Sequence, residues 1–405
     1  MKQLEERIQH EVARLREVQR ERSLRSSVIH GTRMWLNGQE ALHFASNDYL
    51  GLSFDPRVRE AAQVATMRYG GGATGSRLIS GNHPEVVMLE AELASWHGAE
   101  ASLVFSSGYA ANVGVISALA QPEDVIFSDE LNHASIIDGC RMTRSKVVIY
   151  RHADVDHLCW LLRKTRCQGQ RFVVTDAVFS MDGDIAPIGD LLDVARRFEA
   201  VTVLDDAHGV GVLGTRGAGT LEALGIPVAD DIVVIGTLSK ALAAQGGYVI
   251  GRRILIDYLV NRSRSFIFST GLAPSCAGAA RKARKIAEHE AWRRERALSL
   301  SDALRVGIRE LGYLVLDGST TIVPVIVGDE QHAIAMSDFF LKKGVYVPAI
   351  RPPSVPEGRC RLRLCVTAAH EMTDIERVLE IFEEWKETAY NDFFVTSLAK
   401  GGERG

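Results

Sequence analysis

Between about residues 100 and 251 the chain alternates short apolar runs with stretches of helical periodicity. The apolar runs lie at 102–105, 125–127, 147–150, 172–175, 201–204, 232–235 and 248–250. Apolar strands that alternate with helices are typical of a parallel sheet covered by helices on both faces. The last run follows its predecessor closely, which favours one antiparallel strand. The pattern therefore predicts an α/β fold with a large, mostly parallel, seven-stranded sheet.

The segments on either side of this region have different patterns. Apolar residues recur every three or four positions near the amino terminus (Leu4, Ile8, Val12, Leu15, Val18), which predicts an amphipathic helix and a helical arm over 1–45. The large domain is predicted at 46–275. A helical stretch followed by short strands near 322–327 and 362–366 predicts a smaller α+β domain at 276–388. Residues 389–405 lack an apolar pattern and are predicted to form a loose tail.

Composition and charge narrow the function classes. The 405 residues are 46% hydrophobic and 24% charged, with a formal net charge of −4. This balance gives no electrostatic reason to expect nucleic acid, and no apolar stretch is long enough to span a bilayer. The first residues are charged, unlike a secretory signal, so a cytoplasmic location is expected. Six cysteines occur without a CxxC pair, which favours reduced thiols over disulfides or a metal site.

Two motifs at strand ends carry the candidate chemistry. Asp205 follows the run at 201–204, and Lys240 comes shortly after the run at 232–235. Open α/β sheets bind ligands at the carboxyl ends of their strands. A carboxylate there can keep a pyridine nitrogen protonated, and a lysine amine can form a Schiff base with an aldehyde. The pair therefore predicts a site for pyridoxal 5'-phosphate.

Further residues complete what this cofactor needs from a protein. His208 could donate to the phenolic oxygen of the ring, and His133 could stack on its face. The string SSGYAAN at 106–112 begins a helix with small residues, and helix amino termini bind phosphates; Thr237 adds a hydroxyl. Each motif alone has a commoner explanation, such as a helix cap, a surface lysine or a simple turn. Their joint order, each at a predicted strand end, favours the cofactor.

Four longer strings carry a family resemblance: SNDYLG at 46–51, GSRLISG at 75–81, VFSMDGD at 178–184 and IRPPSVP at 350–356. With the motifs above, they resemble the α-oxoamine synthases, fold-type I pyridoxal phosphate enzymes, over residues 24–385. Members of this family join an amino acid to an acyl thioester with loss of carbon dioxide. The resemblance implies a homodimer whose two subunits share their active sites.

The resemblance also implies roles for individual residues. Lys240 matches the Schiff-base lysine, Asp205 the pyridinium partner, His208 the phenolic-oxygen donor and His133 the stacking histidine. The other expected cofactor neighbours are Ser107, Gly108, Tyr109, Asp176, Ser180, Thr237 and, from the second subunit, Ser269 and Thr270. Arg363 matches the arginine that binds the amino-acid carboxylate, with Asn47 beside it. Arg25 and Arg351 are candidates for the distal end or carrier of the acyl group, although Arg25 could equally be a solvated surface residue.

The substrates are less strongly indicated. The strings at 46–51 and 350–356 are most like family members that use L-alanine and a pimeloyl thioester. Asp176 instead resembles glycine acetyltransferases, while Ser239 and the string AAQ at 243–245 depart from both patterns. An aminotransferase is disfavoured by the family match, and a catalytically silent subunit is disfavoured because Lys240 and Asp205 are retained. The choice between coenzyme A and a carrier protein as acyl donor stays open.

Overall fold

The computed structural model describes residues 2–401, with fourteen strands and fourteen helices. The strands are β1 Ser27–His30, β2 Arg33–Leu36, β3 Gln39–His43, β4 Ala101–Phe105, β5 Val125–Asp129, β6 Lys146–Tyr150, β7 Arg171–Asp176, β8 Ala200–Asp205, β9 Ile232–Thr237, β10 Gly247–Gly251, β11 Ile322–Gly328, β12 Val345–Tyr346, β13 Ala349–Ile350 and β14 Cys360–Cys365. The helices are α1 Lys2–Glu17, α2 Pro56–Tyr69, α3 Pro84–His97, α4 Gly108–Leu119, α5 Ala134–Arg141, α6 Val155–Lys164, α7 Ile188–Arg197, α8 Thr220–Ala223, α9 Arg253–Arg262, α10 Arg264–Ile267, α11 Pro274–His289, α12 Ala291–Glu310, α13 Glu330–Lys342 and α14 Met372–Gly401. No helix within this described range has the length and apolar character needed to cross a membrane.

The larger of two compact units comprises Asn47–Ser180 and Asp184–Arg296. Its sheet has the strand order β4-β10-β9-β8-β7-β5-β6, and β10 is the single strand that runs antiparallel to the others. Strands β4, β5, β9 and β10 are buried along their whole length, as expected for a sheet covered on both faces. The predicted seven-stranded, mostly parallel sheet and its single antiparallel strand are confirmed.

Helix α11 also belongs to this unit, where it packs against α2. A Cβ atom at Gly278 would lie 2.8 Å from the backbone oxygen of Ala61, so glycine allows the two helix backbones to approach closely. The unit consequently ends at Arg296, beyond the boundary that the sequence predicted at 275. The helical pattern gave no sign of which neighbour α11 would pack against.

The smaller unit comprises Met1–Ser46, Met181–Gly183 and Ala297–Gly405. Residue 1 and residues 402–405 of this unit lie outside the described range. Its sheets have the orders β1-β2-β3-β12 and β11-β14-β13. Its core contains Phe44, Leu304, Phe340, Leu362 and Phe382, all fully buried. The segment 1–45, predicted as a helical arm, therefore contains three strands after α1 and shares a core with the carboxyl-terminal residues.

Two tight turns connect the strands of this amino-terminal segment. Asn37 and Gly38, between β2 and β3, have φ angles of 52° and 83°. An Asn-Gly pair with two positive φ angles is the strongest short-range signal of a β-hairpin. The Asn37-Gly38 pair is therefore the sequence signal for this hairpin. At the other end, α14 continues to Gly401, which differs from the predicted loose tail; residues 402–405 lie outside the described range.

Candidate active site

Three polar side chains lie at the carboxyl ends of neighbouring strands in the larger unit. Asp176 ends β7, Asp205 ends β8 and Thr237 ends β9. The parallel register places Asp176 directly beside Asp205. Lys240 follows Thr237 by three residues, so the sheet brings the predicted amine and acid to the same edge.

The carboxylate of Asp205 is buried and held from two directions. Asn112 Nδ2, on α4, donates to Asp205 Oδ2 at 2.5 Å, and the backbone N–H of Ala207 donates to Oδ1 at 2.9 Å. Asn112 Nδ2 also donates to Ser135 Oγ on α5 at 2.9 Å. The two donors fix the orientation of the carboxyl group on the strand end.

Asp176 lies beside Asp205 in a buried position that changes its own pKa. Burial, and then the charge of Asp205, raise the pKa of Asp176 well above its usual range. Its Oδ2 accepts from the backbone N–H of His133 at 2.6 Å, and its own N–H donates to Asn132 Oδ1 at 2.9 Å. Asp176 thus holds in place the loop that presents His133.

His133 caps the amino terminus of α5 and is neutral. Its Nδ1 lies 2.7 Å from Ser135 Oγ and accepts from the Ser135 N–H at 3.3 Å. Burial lowers the pKa of its imidazole. A neutral, oriented ring of this kind can lie flat against an aromatic ligand.

Lys240 and His208 are direct hydrogen-bond partners. Lys240 Nζ lies 2.8 Å from His208 Nε2, and His208 Nδ1 lies 2.7 Å from the hydroxyl oxygen of Tyr49. The Tyr49 hydroxyl donates to Asn47 Oδ1 at 3.1 Å. Four side chains from three separate stretches of the sequence therefore form one continuous chain of hydrogen bonds.

The start of α4 forms a narrow cradle with β9 and β10. Ser107 caps the helix and accepts from the Ala110 N–H at 3.0 Å. A Cβ atom at Gly247 would lie 2.5 Å from both Gly108 N and Ser107 O, and one at Gly108 would lie 3.4 Å from Thr237 Oγ1. Glycine is therefore required at position 247, whereas a Cβ atom at Gly108 would make an ordinary contact. The first N–H groups of a helix have no partner within the helix, and they suit a phosphate.

Comparison with known proteins places this geometry in a family. Residues 39–382 match the model of the family described as aminotransferase class I and II. The chain belongs to this family. It is 45% identical over 347 residues to the 8-amino-7-oxononanoate synthase 2 of Bacillus subtilis, covering 86% of this chain and 88% of the relative. It is 46% identical over 344 residues to the 8-amino-7-oxononanoate synthase of Anaeromyxobacter dehalogenans, covering 85% and 86%.

Solved structures agree with this assignment. A serine palmitoyltransferase from S. paucimobilis with bound PLP and myriocin superposes with a TM-score of 0.88 and 30% identity, covering 93% of this chain and 96% of that one. The 8-amino-7-oxononanoate synthase of Francisella tularensis has a TM-score of 0.74 at 25% identity, covering 86% and 99%. Within the aminotransferase class I and II family, the chain is an α-oxoamine synthase, and the predicted fold-type I architecture is confirmed.

The remaining predicted cofactor neighbours are Tyr109, Ser180, Ser269 and Thr270. Tyr109, on α4, is half exposed, and its hydroxyl donates to Asp138 Oδ2 at 2.5 Å. Ser180 is half-buried at the end of a segment of the larger unit, and Thr270 forms an isolated bridge with Ser76 after the half-buried Ser269. The roles of these residues stay predictions.

Three predicted arginines belong to the smaller unit. Arg363, on β14, is buried, and its Nη1 donates to Cys365 Sγ at 2.8 Å. Arg351 donates to the backbone oxygen of Gln19, and Arg25 is exposed outside the regular elements. Their contact with substrate stays a prediction.

Sequence reasoning assigned no role to Tyr49 or Asn112. Both lie in strings that the sequence analysis singled out, SNDYLG and SSGYAAN. Asn112 is one helical turn beyond Gly108, so a polar residue at that position of an otherwise small and apolar helix was the available signal. Tyr49 offered no such signal, because a tyrosine in a loop is most simply read as a packing residue.

A second ionic cluster lies beside the loop that presents His133. His152 Nδ1 is 3.1 Å from Asp129 Oδ1, and its Nε2 is 3.0 Å from Asp184 Oδ2. Asp129 also accepts from the backbone N–H groups of Leu131 and Ala153, both at 2.9 Å. Burial alone would lower the pKa of His152, but its bonds to Asp129 and Asp184 raise it to about 10. The imidazolium therefore joins the end of β5 to the turn at 178–185.

We expect this cluster to make stability depend on pH. The pKa of a histidine in the unfolded chain is about 6.5, so the stabilisation is fully present below that pH and is lost as the pH rises through about 10. Because the ring is 22% exposed, the loss should be smaller than the full pKa shift implies, roughly 2 kcal/mol. Urea unfolding midpoints of the full chain between pH 6.5 and 10 measure it.

The variant His152→Gln should flatten this pH dependence. His332→Gln is a matched control, because His332 makes a similar pair with Asp329 but is 69% exposed. The control should keep the wild-type slope. An equal slope for wild type and His152→Gln would show that the bridge adds no pH-dependent stability.

Proposed function

We propose that the chain catalyses the pyridoxal phosphate-dependent condensation of L-alanine with a pimeloyl thioester. The products are 8-amino-7-oxononanoate, carbon dioxide and the free thiol, in a step of biotin biosynthesis. The observation that carries this proposal is that Lys240 and Asp205 lie at the same edge of the sheet. The chain is also 44–47% identical to proteins named 8-amino-7-oxononanoate synthase. Members of the same structural group are solved with PLP.

The donor set fits this cofactor. Gly247 lets β10 pack closely against the amino terminus of α4, whose first N–H groups suit a phosphate, and Asp205 presents a fixed carboxylate. Ser107, Gly108, Tyr109 and Thr237 would hold the phosphate, with Ser269 and Thr270 reaching it from the second copy in a homodimer. Asp205 would bind the ring nitrogen, His208 the phenolic oxygen and His133 the ring face, with Asp176 and Ser180 nearby. When bound, pyridoxal phosphate supplies an electron sink for the carbanion of the amino acid.

The chain's own residues would then bind the substrates and move protons. Arg363, with Asn47, would bind the alanine carboxylate through the planar fork of its guanidinium. The Lys240 amine would remove the Cα proton and return one after decarboxylation. His133, kept neutral by burial, would cover the ring and exclude water. Holding the two substrates in register lowers the barrier by several kcal/mol. Arg25 and Arg351 are the proposed contacts of the acyl end.

A direct substrate comparison tests this function. The purified full chain, loaded with pyridoxal phosphate, would receive L-alanine with pimeloyl-CoA or with the pimeloyl carrier protein, glycine with acetyl-CoA, or L-serine with palmitoyl-CoA. Thiol release and carbon dioxide are measured in each case. We expect the highest kcat/KM for L-alanine with one of the pimeloyl thioesters, by at least about 100-fold over the other pairs. Faster turnover of glycine with acetyl-CoA would contradict the proposal and favour the glycine acetyltransferase activity suggested by Asp176.

A further inference from the structure

The chain of hydrogen bonds from Asn47 through Tyr49 and His208 to Lys240 has a defined direction. A tyrosine hydroxyl carries one proton, and an amide oxygen can only accept. The Tyr49 proton therefore points to Asn47 Oδ1, 3.1 Å away. The oxygen of Tyr49 is left to accept from His208 Nδ1, 2.7 Å away on its other side.

This direction fixes the proton on the imidazole ring. If His208 Nδ1 donates to Tyr49, then a neutral ring has a bare Nε2. That nitrogen accepts from the amine of Lys240, 2.8 Å away. Tyr49 is fully buried and His208 is 6% exposed, so the Tyr49–His208 bond is shielded from water, while Lys240 is half-buried.

The proposed function requires a proton on His208 Nε2, the atom that carries none in this structure's arrangement. A ring that binds the phenolic oxygen of the cofactor must carry a proton on Nε2. Rotation of the Tyr49 hydroxyl supplies this possibility, because a hydroxyl that turns from Asn47 Oδ1 to His208 Nδ1 becomes the donor there. The Nδ1 proton leaves to solvent and Nε2 takes one up from solvent on the half-buried Lys240 side before the cofactor closes the site, so the imidazole again carries one proton, now on Nε2.

We propose that Tyr49 is a positioning residue that switches the tautomer of His208 between an Nδ1–H form facing the amine of Lys240 and an Nε2–H form facing the cofactor. This inference rests on the proposed function for its second state and on the hydrogen bonds alone for its first. Tyr49 itself contacts neither substrate nor cofactor in this account. Asn47 takes part as the group that receives the hydroxyl proton in the first state.

The tautomer can be observed directly by NMR. The full chain is labelled with ¹⁵N-histidine, the His208 ring signals are assigned with a His208→Asn variant, and spectra are recorded before and after addition of pyridoxal phosphate. Wild type should show Nδ1–H without the cofactor and Nε2–H with it. Asn47→Ala, which removes the acceptor of the hydroxyl proton, should show Nε2–H in both conditions. Tyr49→Phe removes the oxygen that accepts from Nδ1–H, so it should show the Nε2–H form in both conditions and no change of tautomer on cofactor binding.

A kinetic measurement separates positioning from folding. Tyr49→Phe should lower kcat about 10-fold with little change in the KM for alanine. Tyr313→Phe is the matched control, because it also removes one hydroxyl-to-carbonyl hydrogen bond, at 2.7 Å to Phe382, within the smaller unit. It should leave both the His208 spectrum and kcat unchanged.

Two results would overturn the switch: the same His208 tautomer in wild type with and without bound cofactor, or a Tyr49→Phe spectrum that changes as in wild type. A protein that binds no pyridoxal phosphate refutes the proposed function instead. In that case the cofactor-free spectrum still tests the first state, and an Nε2–H or doubly protonated ring there contradicts the inference by itself.

Discussion

Replacing Lys240 with alanine should abolish turnover, with a loss on the order of 10⁴-fold or more. The reason is that the proposed role needs a primary amine both to bind the cofactor covalently and to move the Cα proton. Lys240→Arg should be equally inactive, since a guanidinium keeps the charge but stays protonated. The measurements are steady-state thiol release and the mass of the borohydride-reduced protein, which should carry the cofactor in wild type but in neither Lys240 variant.

The surface residue Lys285 provides the matched control. It is an exposed lysine on α11, and Lys285→Ala should keep both the reduced adduct and full activity. Partial recovery of Lys240→Ala turnover with added methylamine would show that the variant is folded and lacks only the amine. An active Lys240→Ala enzyme, or a cofactor adduct mapped to another lysine, would remove the basis of the proposed mechanism.

Periodicity was enough to predict the sheet of the larger unit, but not where that unit ends. Each parallel strand is a short apolar run, and burial on both faces is what makes a strand uniformly apolar, so β5, β8 and β9 could be recognised directly. The hairpins of the amino-terminal segment were missed because β1 and β2 have only four residues each, too few for alternation to stand out, so their main sequence signal is the Asn37-Gly38 turn. Unit boundaries depend on packing between distant segments, as for α11 and α2, which periodicity does not report.

The part of the site that lies at strand ends could be predicted from the sequence. Asp205 and Thr237 were expected at one edge because parallel strands share a direction, and the structure has both at the ends of their strands; their roles stay predictions. The residues that orient this set, Asn112 and Tyr49, act through side-chain distances of 2.5 to 3.1 Å, which depend on how a helix and a loop pack on the sheet. Sequence spacing carries no information at that scale.

Asp205→Asn is expected to cause the second large loss of activity, on the order of 10³-fold in kcat. Asparagine has nearly the same shape, but its neutral amide cannot stabilise a proton on a pyridine nitrogen. The fold should tolerate the change, because among the described residues Asn112 Oδ1 has no hydrogen-bond partner. Rotation of the Asn112 amide would allow this oxygen to accept from the new side chain. The urea midpoint should therefore stay close to that of wild type while kcat falls.

A swapped pair distinguishes the position of the charge from its presence. Asp205→Asn combined with Asn112→Asp keeps one buried carboxylate and one amide at hydrogen-bonding distance, but moves the acid from the end of β8 to α4. We expect this double variant to remain inactive, since the ring nitrogen needs the charge on the strand end. In Asp205→Asn alone, the loss of a charge beside Asp176 should lower the pKa of that carboxyl, because Asp205 is one of the groups that raise it. If the swap restores turnover, Asp205 contributes only a local negative charge, and the assignment of the pyridine partner to this strand end is wrong.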